Sequence, residues 1–295
     1  MKQSRFDIVH AWTGTANFYA RVPAIMAGVP CILGGLRGRR TVNKKNRWVY
    51  SFTNWRCNGW IVNADDIKRI AEGHLRFRRN SPIYVVPNGI EIGDDSRLKK
   101  DRHGYYDDYR KDRPVVGTVG RLAPVKNHKM FLKVARLLRN RGVEADFWLI
   151  GEGPMWAELE AYIQENELEG IVTMFGNRTD VDEGLSRMDI LLLTSDSEGC
   201  PNVLLEAMRA GLPCISTNCS SLDEIIEDGL NGRKVPVGNA EAMADQVEIL
   251  LKDEQARTEM GNESRRIVEQ RFAMQIAVNR MQNVYLECLK RANSE

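Results

Sequence analysis

The chain has 295 residues, of which 43% are hydrophobic and 28% charged, and its formal net charge is +2. This length and apolar content allow one large core or two modest ones, and the composition excludes an intrinsically disordered chain. No apolar run approaches the roughly 18 residues of a membrane-spanning helix, and the first residues lead into a strand rather than a signal peptide, so we expect a cytoplasmic protein.

The six cysteines stand at positions 31, 57, 200, 214, 219 and 288. They form no Cys-x-x-Cys pair and have no set of histidines nearby, which argues against a zinc site and against a disulfide framework. Cys31 and Cys214 lie in strand-like apolar runs, so we expect them to be reduced core residues.

Charge is distributed unevenly along the chain. Residues 1 to 110 contain 20 lysines and arginines against 10 aspartates and glutamates, whereas the remainder contains 22 against 30. The densest basic cluster and the aromatic residues after it are Arg37, Arg39, Arg40, Lys44, Lys45, Arg47, Trp48, Phe52, Trp55 and Trp60. Peripheral adhesion to an anionic membrane explains this pattern, and a solvated face beside ordinary core aromatics explains it equally well. No nucleic-acid-binding motif accompanies the cluster, so we expect no nucleic acid partner.

Residues 1 to 112 predict a small α/β region followed by a linker. The predicted strands are Asp7–His10, Val29–Leu33, Trp60–Asn63 and Ile83–Val86, and the predicted helices are Thr15–Ala27 and Asp65–Leu75. Pro87-Asn88-Gly89 predicts a turn, after which a charged segment leads to the rest of the chain. His10 ends the first strand, where a histidine is either a structural hydrogen-bonding residue or a candidate site residue.

Residues 113 to 272 predict the clearer domain. Its strands are expected at Val115–Val119, Asp146–Ile150, Val172–Phe175, Ile190–Thr194 and Cys214–Thr217, with helices such as Lys129–Asn140 and Met155–Glu165 between them. This alternation predicts a doubly wound α/β domain with a parallel sheet and helices on both faces. Ligands bind such sheets beyond the carboxyl ends of the strands, where Gly120, Gly151, Gly176 and Glu198 fall. Arg178, just past one of these ends, is a candidate base contact or a plain surface arginine.

The stretch from Glu198 to Met208 joins a strand end to a helix start. The apolar run before it predicts a buried strand, and Pro201 fits the first position of a helix of roughly three turns. The first backbone N–H groups of that helix, at about Asn202, Val203 and Leu204, can bind a phosphate with help from the helix dipole. Glu198 before the helix and Glu206 within it can accept hydrogen bonds from sugar hydroxyls. A loop surface charge and a helix N-terminal charge explain the two glutamates equally well on spacing alone.

A second element, Val115–Asn127, couples a strand to a loop with two cations. Arg121 can grip phosphate oxygens with its planar fork of donors, and Lys126 adds a point charge near the start of the next helix. Alone, such residues are usually solvated surface charges. Together with the helix start at Asn202, they predict a clamp for a diphosphate.

These motifs resemble the retaining glycosyltransferases of family 4. The resemblance rests on Gly120-Arg121-Leu122 with Lys126-Asn127, on Glu198-Gly-x-Pro-Asn-x-x-x-Glu206-Ala, and on Pro87-Asn88-Gly89, Leu149–Pro154 and Phe175-Gly176-Asn177. It implies the GT-B fold of two doubly wound Rossmann-like domains, a nucleotide-diphosphate sugar donor such as a UDP-sugar, and transfer with retention. It also implies no metal and no cofactor, because Arg121, Lys126 and the helix end neutralise the diphosphate. Asp196-Ser197-Glu198, although similar to a metal-binding acidic triplet, is therefore not assigned to a metal.

The resemblance also assigns roles to individual residues. Arg121 and Lys126 would neutralise the donor diphosphate, Glu206 would bind the ribose and Glu198 would hold the donor sugar. The backbone at Gly120, Gly199 and Cys200 and from Asn202 to Leu204 would complete the contacts. His10 and Arg37 become candidates on the acceptor side, since the family's front-domain histidine has no counterpart after the second strand, where Gly34-Gly35-Leu36-Arg37 follows.

The front domain of this family is nearly twice as long as residues 1 to 90, so we expect the first part of the N-terminal domain to be missing. Residues 273–295 would form a C-terminal helix that packs back on the N-terminal domain. The leading hypothesis is a glycosyltransferase that moves a sugar to a glycan or lipid-linked acceptor. The alternative is a nucleotide-sugar-binding module without turnover, or a subunit completed by a partner chain. A related epimerase or phosphorylase ranks third, because its acid-base residues or cofactor lysine are not evident.

Overall fold

The computed structural model describes residues 6–38, 50, 53–74, 81–93, 105–109, 112–219 and 222–294. Most of the predicted basic cluster lies outside these residues, as does most of the predicted linker. The chain divides into two units: the first contains residues up to Gly89 together with Glu198–Cys200 and Phe272–Glu295, and the second contains Ile90–Ser197 and Pro201–Arg271.

The first unit contains a parallel sheet of four strands in the order β1-β2-β3-β4. In chain order its elements are β1 (Ile8–Ala11), α1 (Gly14–Met26), β2 (Cys31–Leu36), β3 (Gly59–Val62), α2 (Asp65–His74), β4 (Ile83–Val85) and the C-terminal helix α9 (Met274–Ser294). The strands were predicted within about three residues of these bounds. Every residue of β2 and β3 is buried, which is why both strands read as continuous apolar runs.

The C-terminal helix α9 covers one side of this sheet. Val284 and Cys288 of α9 share an apolar cluster with Cys31, Leu33 and Ile61 of the strands. Cys31 and Cys288 are both fully buried and free, which confirms the prediction that Cys31 is a core residue. The other side carries a separate cluster around Trp60, whose ring meets Tyr50 edge to face at 5.2 Å.

The second unit contains a parallel sheet of six strands in the order β10-β9-β8-β5-β6-β7. Its elements are β5 (Val115–Val119), α3 (His128–Asn140), β6 (Asp146–Ile150), α4 (Trp156–Glu165), β7 (Val172–Gly176), α5 (Val181–Ser186), β8 (Ile190–Leu193), α6 (Asn202–Arg209), β9 (Cys214–Thr217), β10 (Gly232–Val235), α7 (Ala240–Lys252) and α8 (Glu254–Arg271). The chain builds β5, β6 and β7 outward in one direction and then crosses to β8. The predicted doubly wound α/β domain is confirmed, and its strand order reverses between β5 and β8.

Helix α3 illustrates why the second unit packs as it does. Its buried residues Phe131, Val134, Ala135 and Leu138 recur every three or four positions, so they form one face that packs on the sheet. The ring of Phe131 meets Phe147 of β6 edge to face at 5.8 Å. This packing fixes the loop between β5 and α3 at the carboxyl edge of the sheet.

Two expectations about α6 need correction. Pro201 precedes the helix as its N-cap residue, with φ −72° and ψ 120°, and the first helical residue is Asn202. The helix has 8 residues, which is about two turns rather than three. Gly211, at φ +77°, follows its end, because a left-handed residue after a helix is most easily glycine.

Candidate functional site

A cavity of about 540 Å³ lies in the second unit beyond the carboxyl ends of β5, β6 and β7. It is lined by Val119, Gly120, Arg121, Ile150, Gly151, Glu152, Gly153, Asn177, Arg178 and Val181. Three residues of the predicted site line it: Gly120, Arg121 and Arg178. The cavity therefore lies at the sheet edge where a doubly wound domain binds its ligand.

Main-chain hydrogen bonds join the three loops that form this cavity. The Gly120 N–H donates to the Ile150 carbonyl at 2.9 Å, the Leu122 N–H donates to the Glu152 carbonyl at 2.9 Å, and the Gly151 N–H donates to the Gly176 carbonyl at 2.8 Å. A side chain at Gly151 would place its Cβ 2.0 Å from the Gly120 carbonyl oxygen, so only glycine fits there. The cavity lining is thus largely backbone held in a fixed geometry.

Arg121 and Lys126 both lie in the loop between β5 and α3. Arg121 is exposed and lines the cavity, whereas Lys126 is half-buried and is not a lining residue. The Lys126 carbonyl accepts a hydrogen bond from the Thr194 hydroxyl at 2.9 Å, and the Asn127 side-chain amide donates to Asp196 at 2.9 Å. These bonds tie the loop after β5 to the loop after β8, at the point where the strand order reverses.

The side chain of Arg178 is held on two sides. It donates two hydrogen bonds to the Asp180 carboxylate, of 2.9 Å and 2.5 Å, and its guanidinium lies 3.8 Å from the centre of the Tyr105 ring. The bonded Arg178 guanidinium lowers the pKa of Asp180, and the carboxylate in turn raises the pKa of Arg178. The pair therefore stays ionised and bonded at neutral pH.

Glu206 lies on α6 in the second unit and does not line the cavity. Burial raises the pKa of its carboxyl group, and the nearby Asp182 raises it further, while Arg209 acts in the opposite direction. Arg209 also forms an ion pair with Asp182. Glu206 is thus a partly desolvated carboxylate with one acidic neighbour, Asp182, and one basic neighbour, Arg209.

Glu198, Gly199 and Cys200 group with the first unit. The Asn88 side-chain amide donates to the Cys200 carbonyl at 2.8 Å, and Arg37 donates to the Asn88 oxygen. A Cβ at Gly199 would lie 2.9 Å from the Arg37 carbonyl oxygen, so this short loop lies against the strand end that carries Arg37. The predicted turn Pro87-Asn88-Gly89 thereby orients the residues next to Glu198.

A family model described as Glycosyl transferases group 1 matches residues 107–267, which is more than half of the chain. The chain belongs to the group 1 glycosyl transferases. The chain is 34% identical to N-acetyl-alpha-D-glucosaminyl L-malate synthase of Bacillus anthracis, over 78% of this chain and 60% of that protein. It is 30% identical to alpha-D-kanosaminyltransferase of Streptomyces kanamyceticus, over 93% of this chain and 75% of that protein. The chain therefore spans about 60% of the length of the first of these relatives.

Solved structures with the GT-B fold share the architecture of this chain. Anabaena HepE, solved in complex with UDP and glucose, superposes with a TM-score of 0.83 at 20% identity, over 95% of this chain and 77% of HepE. Sucrose-phosphate synthase of Thermosynechococcus elongatus gives a TM-score of 0.83 at 17% identity, over 97% of this chain and 74% of that enzyme. These likenesses confirm the predicted α/β fold of GT-B type.

In this glycosyl transferase chain, His10 and Arg37 lie together in the first unit. The His10 ring stacks on Trp12 at 4.9 Å, and its Nδ1 is 3.0 Å from the Tyr285 hydroxyl of α9. The guanidinium of Arg37 lies 4.0 Å from the centre of the Trp12 ring, on the indole. Burial, with the charge of Arg37, lowers the pKa of His10 to about 4, so the ring is neutral at pH 7.

Other features of the cavity were not singled out from the sequence. Glu152 and Asn177 line it, and both lie in segments that carry the family resemblance. Tyr105 supports Arg178 and lies in the charged linker. Gly151 and Gly176 beside them were recognised as strand ends. The tyrosines of the linker, Tyr105 among them, are the sequence signal that could have indicated a packed segment there.

Neither a metal-binding cluster nor a membrane-spanning helix is found in the part of the chain that the structure describes. Among the residues that the structure describes, no group of three or more histidine, cysteine, aspartate or glutamate side chains is arranged to hold a metal ion. Within the same ranges, every helix is too short or too polar to cross a membrane.

Proposed function

We propose that the chain is a retaining glycosyltransferase that uses a nucleotide-diphosphate sugar, of the UDP-sugar class, as its donor. The observation that carries the proposal is the cavity beyond β5, β6 and β7, which combines a backbone lining with the arginines Arg121 and Arg178. A nucleotide needs such a combination, because its base and ribose fit a preformed surface of backbone and flat side chains, while its diphosphate needs a cation such as Arg121. UDP bound to HepE, a structure of the same fold, supports the choice of nucleotide.

The proposed reaction exchanges one bond at the anomeric carbon for another on the same face of the sugar. The bond from this carbon to the diphosphate oxygen breaks, a bond to the acceptor hydroxyl oxygen forms, and the hydroxyl proton passes to the departing diphosphate. Arg121 and Lys126 stabilise the charge that develops on the diphosphate, aided by the N–H groups of Asn202, Val203 and Leu204 at the start of α6. No metal ion is needed for this step.

The glutamates are proposed to recognise hydroxyl groups. Glu206 binds the ribose and Glu198 holds the donor sugar, with the backbone at Gly199 and Cys200 completing the contacts. The hydrogen bond from Asn88 to the Cys200 carbonyl supports this role for the loop, because it restricts the backbone next to Glu198. A carboxylate must be held within hydrogen-bond reach of its substrate to act on it.

The acceptor is proposed to be a glycan or a lipid-linked sugar of surface polysaccharide or glycoconjugate biosynthesis, bound with the help of the first unit. The neutral His10 and the neighbouring Arg37 are its candidate contacts. Peripheral contact with an anionic membrane, through the basic N-terminal half, would suit a lipid-linked acceptor. The names of relatives support this class: one is UDP-Gal:alpha-D-GlcNAc-diphosphoundecaprenol alpha-1,3-galactosyltransferase of Escherichia coli, 24% identical over 97% of this chain and 77% of that enzyme.

Calorimetric titration with UDP, GDP and ADP tests the donor site. We expect one nucleotide to bind best to the wild type, and Lys126→Ala to weaken that binding by about tenfold or more, since a charge-assisted contact contributes about 1.5–3 kcal/mol. Lys129→Ala is the matched control. Lys129 is exposed on α3 and pairs with Glu158 at 3.2 Å, so its loss is expected to leave the nucleotide affinity unchanged.

The second step of the test measures turnover with the sugar donor of the best nucleotide. Hydrolysis or transfer that preserves the anomeric configuration, as monitored by NMR, supports a retaining transferase. Binding without any turnover favours the alternative of a nucleotide-sugar-binding module or of a subunit completed by a partner chain. Equal affinities for wild type and Lys126→Ala contradict the diphosphate clamp, and no binding of any nucleotide overturns the site.

A further inference from the structure

A short 3-10 helix, Tyr105–Tyr109, packs beside the cavity of the second unit. Tyr106 is fully buried and stacks on Trp148 of β6 at 5.6 Å, with Phe175 of β7 at 5.0 Å. Asp107 forms an ion pair with Arg187, which is only 3% exposed, at 2.7 Å. The segment is therefore anchored by aromatic packing and by a largely buried charge pair.

This anchored segment presents Tyr105 to the guanidinium of Arg178. The Arg178 guanidinium carbon lies 3.8 Å from the centre of the Tyr105 ring, and Asp180 accepts hydrogen bonds from two nitrogens at its edge. Tyr106 donates its hydroxyl to the same carboxylate at 3.4 Å. A planar cation with one face on a ring and its edge on a carboxylate is held in one orientation, and its opposite face is suited to stacking.

The charge of Arg178 argues for stacking rather than for phosphate binding. Asp180 neutralises the guanidinium locally, which weakens its attraction for a diphosphate. Among the residues that the structure describes, no carboxylate forms such a pair with Arg121, which lines the same cavity. The surroundings of the two arginines therefore suit Arg121 to binding the diphosphate and Arg178 to stacking on a ring.

We propose that Tyr105 is a positioning residue for nucleotide recognition: it holds the Arg178 guanidinium flat, as the surface on which the base of a nucleoside diphosphate stacks. This inference rests on the proposed function, since it requires a nucleotide in the cavity. Stacking on a guanidinium accepts a purine or a pyrimidine, so Tyr105 contributes affinity rather than the choice of base. The contribution is confined to the base and leaves the diphosphate contacts unchanged.

The experiment compares nucleoside diphosphates with pyrophosphate, which has the phosphates without the base. In calorimetric titrations, Tyr105→Leu is expected to weaken binding of the preferred nucleotide by about tenfold, while its pyrophosphate affinity stays that of the wild type. Tyr105→Phe retains the ring and is expected to bind like the wild type. Arg178→Lys keeps the charge but lacks the planar group, so we expect the same selective loss as in Tyr105→Leu.

Tyr162→Leu is the matched control, because Lys129 lies over the Tyr162 ring at 5.7 Å in a second cation–aromatic pair that does not line the cavity. It is expected to leave both affinities unchanged. Because Tyr105 is 41% exposed, its leucine variant is expected to keep the wild-type melting temperature. Measuring that temperature checks that the variant folds.

Different outcomes separate this inference from the function on which it rests. Unchanged nucleotide affinity in both Tyr105→Leu and Arg178→Lys overturns the stacking role while the donor site stands. Equal losses of nucleotide and pyrophosphate binding also overturn it, because they indicate a general distortion of the cavity. A wild type that binds pyrophosphate and nucleotides equally weakly overturns the proposed function, and the inference with it.

Discussion

At the scale of single residues, the candidate donor site depends on places where a side chain cannot be accommodated. Gly151 has φ +146°, and a Cβ there would lie 2.0 Å from the Gly120 carbonyl oxygen. Gly151→Ala must therefore separate the loops after β5 and β6 or strain the backbone. We expect it to lower the free energy of unfolding by about 2 kcal/mol and to weaken nucleotide binding, as measured by urea unfolding and calorimetry.

Gly170→Ala is the control for this prediction. Gly170 lies in the same unit, is not in the left-handed region, and has nothing within 4 Å of its Cβ position. Alanine there is expected to be neutral or slightly stabilising, because it reduces the entropy of the unfolded chain. Equal stabilities of the Gly151 and Gly170 variants would show that the loops do not need their close approach.

At the scale of secondary-structure elements, α6 combines a packed face with Glu206, the carboxylate proposed to bind the ribose. Leu204, Leu205 and Met208 are buried, while Glu206 is held half-buried near Asp182. Because its pKa is raised in the fold, Glu206 binds its proton more tightly there than in the unfolded chain, so its ionisation destabilises the fold as pH rises through the raised pKa. Glu206→Gln is therefore expected to unfold at a higher urea concentration than the wild type at pH 7.

The same variant is expected to lose nucleotide affinity, because an amide is a weaker acceptor for ribose hydroxyls than a carboxylate. The gain in stability should shrink as pH falls from the raised pKa towards the ordinary glutamate pKa of about 4.3, and should be absent below it, where the wild-type side chain is also neutral. Glu160→Gln, on the exposed side of α4, serves as the control and should change neither quantity. A Glu206→Gln variant less stable than the wild type at pH 7 would contradict the desolvation argument.

At the scale of the whole molecule, each unit contains a histidine that is removed from solvent, partly for His10 and almost fully for His128. Burial, with a nearby cation, lowers the pKa of His10 in the first unit and of His128 in the second to about 4. Each is neutral in the fold and protonates near pH 6.5 in the unfolded chain. Stability is therefore complete above pH 6.5 and is lost as pH falls from 6.5 towards 4.

Urea unfolding between pH 7.5 and pH 5 measures this loss. Each histidine is expected to reduce the free energy of unfolding of its unit by about 2 kcal/mol at pH 5. His128→Asn, which cannot protonate, should have a smaller dependence on pH, and so should His10→Asn. The prediction is wrong if both variants keep the wild-type slope between pH 6.5 and 5.

Particular elements show which parts of the fold can be predicted from sequence patterns and which cannot. Strands β5, β6 and β9 were predicted with their observed bounds, because each is a short run of mainly apolar or small residues, almost all of which are buried. Strand β10, Gly232-Arg233-Lys234-Val235, was missed, since two of its four residues are charged and it lies at the edge of the sheet. The start of α6 was displaced because Pro201 suits both an N-cap and a first helical position.

The sequence by itself determined the fold class, most of the strands, and the segments that end at the carboxyl edge of the second sheet. These depend on local apolar runs, glycines and helix starts, which neighbouring residues encode. Only the tertiary structure decided which of those segments form the cavity, that Glu206 is partly desolvated, and that Tyr105 supports Arg178 from a segment 73 residues away in the chain. Such contacts arise because strand order and loop packing bring distant residues together, and no local pattern specifies that order.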